Sequence, residues 1–203
     1  RDTTLEALGR LPAAFRKGGT VTAGPTTPSP ASAPASGADA PSPAILAANC
    51  GDVDDGGPVA GPDCVTATIR CGETVVGHTR GGVSRFDSRF YEKTFCTPAT
   101  TNHDSGDERV YLLELPAGDR TVDLWLDTPC ADLDLAAIRV TDPSRCPTND
   151  DPVPQCDMWP NDGTAREHVR ITSQVATHWL VVVEGKGDAE GAFGLTVACA
   201  DGR

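Results

Sequence analysis

Basic residues are scarce in this chain. Seventeen Lys and Arg stand against 29 Asp and Glu over 203 residues, a formal charge of −12. The deficit is uneven. Residues 1–19 carry Arg1, Arg10, Arg16 and Lys17 against Asp2 and Glu6, a net of +2, and residues 20–49 carry only Asp39, which leaves −13 for residues 50–203. A domain this acidic repels phosphate backbones and anionic headgroups, so nucleic acid and anionic membrane surfaces are excluded as natural partners. The acidity by itself reads as a device for solubility. Long apolar runs are also missing. Trp179–Val183 is five residues long, against the ~18 that a membrane helix needs, so no membrane insertion is expected. Nothing resembles a signal peptide, and residue 1 is Arg rather than Met. We read the chain as a processed product or an internal fragment, in which a missing leader says nothing about compartment.

Close cysteine pairs are absent too. The eight cysteines are Cys50, Cys64, Cys71, Cys96, Cys130, Cys146, Cys156 and Cys199, with none before residue 50. A structural zinc site wants spacings such as C-x2-C. The shortest here are Cys64-x6-Cys71 and Cys146-x9-Cys156, and His78, His103, His168 and His178 are scattered singly. An even count confined to one part of the chain predicts disulfides and an oxidising compartment: extracellular, periplasmic or cell-surface. Connectivity stays open, but short-loop closure favours Cys146 with Cys156. Cys71 with Cys96 would tie the start of the domain, and Cys50 with Cys199 would clasp its ends. Catalytic signatures are lacking as well. Ser173, His178 and Asp188 supply the letters of a triad, but no Gly-x-Ser-x-Gly elbow accompanies them, and paired cysteines are not nucleophiles. No enzymatic activity is expected.

What is present divides into three parts. Residues 1–17 predict a short helix, with Asp2 as cap and Leu5, Leu8 and Leu11 at helical spacing before Pro12, as the tail of an upstream region. Residues 18–48 read as a disordered linker. Pro25, Pro28, Pro30, Pro34, Pro41 and Pro43 alternate with Ala, Ser, Thr and Gly, and no aromatic residue occurs there, so the stretch cannot bury enough surface to offset its ordering entropy. Residues 49–203 form the globular domain. Alternation with period two marks Val65–Ile69, Arg109–Leu115, Val122–Leu126, Val169–Ile171 and Phe193–Val197 as half-buried strands. Tyr111, Leu113 and Leu115 share one face; Val122, Leu124 and Leu126 point inward while Asp123 and Trp125 point outward. Trp179–Val183, apolar on both faces, predicts a central strand. Between Leu133/Leu135 and Ile138/Val140 the phase slips, which implies a bulge or burial on both faces. Pro143–Gly163 reads as a long loop. The sum is an all-β chain: an antiparallel β-sandwich of about eight strands in roughly 150 residues, disulfide-stapled, with no helical pattern.

Several blocks resemble the bacterial pre-peptidase C-terminal domain. They are Val110-Tyr111-Leu112-Leu113-Glu114-Leu115-Pro116-Ala117-Gly118, Val122-Asp123-Leu124-Trp125-Leu126, Asp132-Leu133-Asp134-Leu135, and Trp179–Val183 through Gly191-Ala192-Phe193-Gly194-Leu195-Thr196-Val197. The resemblance covers roughly residues 64–199. The eight cysteines and the Pro143–Gly163 loop depart from the pattern, and Cys71-Gly72 with Gly81-Gly82 looks like cysteine-rich variants of secreted or lipid-anchored proteins. The resemblance implies a noncatalytic β-sandwich appended to secreted enzymes or surface proteins, and no particular ligand.

Three sets of residues are candidates for a site. Asp52-x-Asp54-Asp55-Gly56 opens like a calcium loop but puts Gly56 where an acid is required. Asp127, Asp132 and Asp134 form a second acidic set, with Asp132 and Asp134 on one face of a strand; calcium is the one cofactor it suggests, and a charged strand edge that blocks aggregation is the alternative. Trp125 among outward polar residues, and Trp159 in the long loop, suit sugar rings or protein contacts. Packing against their own surroundings is the plainer role for both. The reading is therefore a monomeric, noncatalytic accessory domain of a secreted or surface bacterial protein that binds an extracellular polysaccharide or protein, or acts as a spacer. The alternatives are the C-terminal appendage of a secreted hydrolase and a stalk module without ligand.

Overall fold

The computed structural model describes residues 64–96, 106–158 and 161–201, all within the unit Ser36–Arg203. The expected N-terminal helix and linker, Cys50, the Asp52–Gly56 loop and Trp159 lie outside the described residues.

Among the described residues nine strands build two sheets. They are β1 (Val65–Ile69), β2 (Thr74–His78), β3 (Arg109–Leu115), β4 (Arg120–Asp127), β5 (Leu133–Val140), β6 (Gln155–Met158), β7 (Glu167–Ser173), β8 (Thr177–Gly185) and β9 (Ala192–Asp201). The first sheet runs β1-β3-β8-β5-β6 and the second β2-β9-β4-β7. The expected β-sandwich is what forms. All ladders are antiparallel except β1 on β3, which is parallel. The inward phases meet between the sheets: Tyr111, Leu113 and Leu115 from β3, Leu133, Leu135 and Ala137 from β5, and Trp179, Val181 and Val183 from β8 face Val122, Leu124 and Leu126 from β4 and Phe193, Leu195 and Val197 from β9.

A second core lies on the other side of the five-stranded sheet. Val110, Ala136, Ile138, Val140, Leu180 and Val182 are covered there by Phe86, Phe90, Tyr91 and the cysteines of the connecting segments. This explains why β8 is apolar throughout. It also resolves the phase slip in β5: the pairing with β8 runs without a break from Leu133 to Val140, so both faces are buried and there is no bulge. The expected absence of helix is corrected here, because Ser88–Lys93 forms a short helix, α1. Asp87 caps it, its Oδ1 accepting from the Phe90 N–H at 2.7 Å, which satisfies one orphan donor of the first turn. At the other end Phe95 adopts φ 57°. The Phe95 N–H donates to Glu92 O and the Cys96 N–H to Tyr91 O, the two bonds of a Schellman motif with Phe where Gly is usual. The Pro143–Gly163 loop is also not wholly loop, since it contains β6.

Buried charges tie this layer down. Glu108 accepts from the Phe86 N–H at 2.6 Å and from the Arg85 N–H at 2.9 Å. Arg109 donates to His78 O at 3.0 Å and to Arg80 O at 2.6 Å, and the Tyr91 hydroxyl donates to Glu184. Burial, and then the charge of Glu184, push the Glu108 carboxyl up to about 9 against the pull of the two amides. A Cβ on Gly82 would stand 2.0 Å from Glu108 O, so the close approach of the Val83–Glu108 bridge requires glycine at that position.

The disulfides form, but not with the expected partners. Cys64 bonds Cys146, Cys71 bonds Cys199 and Cys96 bonds Cys156, with Cα separations of 6.1, 5.4 and 4.8 Å. Cys130 is disulfide-bonded as well. The Cys146–Cys156, Cys71–Cys96 and Cys50–Cys199 pairings are therefore corrected. Doubling a loop costs only ~0.6 kcal/mol of closure entropy, so proximity in sequence has little power to choose partners. Sheet order chooses instead. β6 pairs along β5 and carries Cys156 to the end of α1, and the last strand carries Cys199 beside the β1–β2 turn.

Candidate binding face

The outward face of the four-stranded sheet carries Trp125, one of the two tryptophans that the sequence singled out. Strand β4 alternates strictly, with Val122, Leu124 and Leu126 buried and Thr121, Asp123, Trp125 and Asp127 half-buried on the other face. Antiparallel pairing with β7 sets Trp125 opposite His168 and Asp123 opposite Arg170. The Trp125 and His168 rings stack at 3.8 Å between centroids with 14° between planes, and the Arg166 guanidinium lies over the indole at 4.9 Å. Carboxylates anchor both partners. Arg166 Nε is 3.2 Å from Asp127. His168 Nε2 lies 2.7 Å from Asp123 Oδ1, which also accepts from Arg170 Nε at 2.7 Å. Partial burial alone would raise the Asp123 carboxyl; hydrogen bonds from Arg170 and His168 outweigh it and hold the group below the usual range. At Asp127 burial dominates and raises the group, with Arg166 opposing.

The result is a row of side chains fixed in place by their neighbours. The plainer expectation for Trp125, contact with its own sheet face, is thus met by His168 and Arg166, while the ring stays partly exposed. Sequence reasoning found Trp125 but missed His168, Arg166 and Asp123. The signal was present in His168-Val169-Arg170-Ile171, whose polar phase had to lie on the face opposite the core.

The three candidate calcium ligands are separated. Asp127 sits on β4 and pairs with Arg166. Asp132 precedes β5, accepts from the Gly163 N–H at 3.0 Å and stands 3.8 Å from Lys186 Nζ. Asp134 is fully buried within β5. Among the described residues no three His, Cys, Asp or Glu are placed to hold a metal ion. The triad letters are likewise apart. Ser173 Oγ donates to Val175 O, His178 faces Glu114 at 3.6 Å, and Asp188 is exposed in the β8–β9 turn.

No family model matches the chain, and no curated protein does. Among solved structures it is similar to the pre-peptidase C-terminal domain of a collagenase from Bacillus anthracis, with 13% identity and a TM-score of 0.40 over 64% of this chain and 93% of that one. It is also similar to TmCBM61, solved in complex with β-1,4-galactotriose, with 14% identity and a TM-score of 0.32 over 64% of this chain and 88% of that one.

Proposed function

We propose that this chain is a noncatalytic accessory domain of a secreted or surface-displayed bacterial protein, and that it works by binding an extracellular polysaccharide or protein through the face around Trp125. The observation that carries the reading is the Trp125–His168–Arg166 stack, locked by Asp123 and Asp127. Trp and Arg dominate binding hot spots. Contact groups already ordered before binding also cost little conformational entropy when a partner arrives. The disulfides support an oxidising compartment, and the separate engagements of Ser173 and His178 support a role without catalysis.

The test is a glycan and matrix-protein binding screen on the full chain, followed by Trp125→Ala. Because the ring is only half-buried and lies outside both cores, the substitution should weaken binding by roughly tenfold or more while lowering the melting temperature little. Unfolding by Trp125→Ala would make the ring a structural element and remove this face from the proposal. Unchanged binding to every ligand found would favour a spacer role instead.

A further inference from the structure

We propose a second binding site, for a carboxylate carried by an otherwise neutral glycan, in the cleft at the end of the sandwich where β4, β5 and β7 pass beyond the core. It does not depend on the Trp125 face.

The inward phase that fills the core continues at this end with polar residues. On β4 the series Leu126, Leu124, Val122 is followed by Arg120. On β7 the series Val169, Ile171 is followed by Ser173, directly opposite Arg120 in register. On β5 the series Leu133, Leu135, Ala137 is followed by Arg139, opposite Trp179. Two arginines and a serine thus occupy the positions of core residues where the two sheets part. They line a cleft of about 560 Å³ together with Thr121, Thr172 and Gln174, a size within the range of small-ligand sites.

The arginines hold unused donor capacity. Arg120 spends one terminal nitrogen on Asp201 at 2.7 Å, yet its Nε is buried with no hydrogen-bond partner. The Arg139 side chain makes no hydrogen bond or ion pair among the described residues. A guanidinium is a planar fork of donors matched to a carboxylate, which it binds with two parallel hydrogen bonds. The hydroxyl and amide groups beside the forks offer the donors and acceptors that sugar hydroxyls require. Charge narrows the ligand further. The chain carries −12 and Asp119 stands at the rim, so a densely charged polyanion is repelled as it approaches, whereas an isolated acid on a neutral glycan is not.

The experiment is calorimetric titration of the full chain with a xylotriose bearing one glucuronate. The acid should bind, and its uronate methyl ester should bind roughly tenfold or more weakly, because the ester is uncharged and loses the charge-assisted pair of bonds to a guanidinium fork. Arg139→Gln should weaken the acid by a similar factor at unchanged melting temperature, and Trp125→Ala should leave it in place. Equal affinity for acid and ester would overturn the proposal. So would no binding up to ~10 mM, full-strength binding by a folded Arg139→Gln, or loss of binding in Trp125→Ala. If Arg139→Gln does not fold, the comparison of acid with ester on the unaltered chain decides alone.

Discussion

Replacing Cys71 and Cys199 together with Ala should cost about 4 kcal/mol of stability. The bridge joins residues 128 apart, and an isolated loop of that length is worth ~5 kcal/mol in the chain-entropy model. The other bridges shorten it. With Cys64–Cys146 intact, the covalent path from Cys71 to Cys199 runs back to Cys64, across the bond and on from Cys146. That path is about 60 residues, which lowers the figure to ~4 kcal/mol. The native ends need no bridge to find each other. The Gly72 N–H donates to Val197 O at 2.7 Å, and the Val197 N–H to Glu73 O at 3.0 Å. The effect therefore lies in the freedom gained by the unfolded chain. For a domain of this size ~4 kcal/mol is a fall of roughly 10–15 °C in melting temperature, read by circular dichroism. The urea m-value should rise, because the unfolded ensemble expands. A fall under ~3 °C with an unchanged m-value would refute the reasoning.

Other outcomes follow from single residues. Glu108→Gln keeps an acceptor for the Arg85 and Phe86 amides but removes a titrating group. Folding favours the Glu108 proton, so its contribution is full below the unfolded-state value of 4.5 and is lost as pH rises through about 9. The variant should flatten the decline in stability across the whole span from about 4.5 to 9, keeping below pH 7 only the share that belongs to Glu167, which is raised mainly by burial to about 7; an identical slope in both proteins between pH 7 and 9 would refute this. Phe95→Gly should raise stability by roughly 0.5–1 kcal/mol in denaturant titration, because the ring is 90% exposed at φ 57° and glycine adopts that conformation without strain; a loss of stability would mean that the exposed ring is packed. The three described bridges use six of the eight cysteines, and Cys130 is itself bonded. Non-reducing peptide mapping should therefore recover Cys50 joined to Cys130, and a free thiol at Cys50 would contradict it.

Legibility in this sequence tracks the distance over which each decision is made. Strand β4 was readable because alternation is local: Val122, Leu124 and Leu126 go in, Asp123 and Trp125 go out, whatever lies beyond. Helix α1 was not, because six residues are too few for a 3.6 period to show; only the cap, Asp87 three residues before Phe90, marked it. The phase slip in β5 was visible, but its cause was not. Ala136, Ile138 and Val140 are buried because Phe86, Phe90 and Tyr91 fold over them from a segment about fifty residues earlier. Disulfide partners follow sheet order, which spacing does not encode. The site divides in the same way. Trp125 stood out by itself, but its partners depend on the register of β4 against β7, and a slip of one residue would put Val169 across from it in place of His168. The cleft is the instructive case. Arg120, Ser173 and Arg139 keep the core phase of their strands, so local pattern alone places them inward, where donors left without partners are costly. Read as the fraying ends of strands they mean nothing. Once sheet order brings three such ends to one mouth of the sandwich, the polar residues in core phase become a shared site, and the missing partner becomes a property of the ligand.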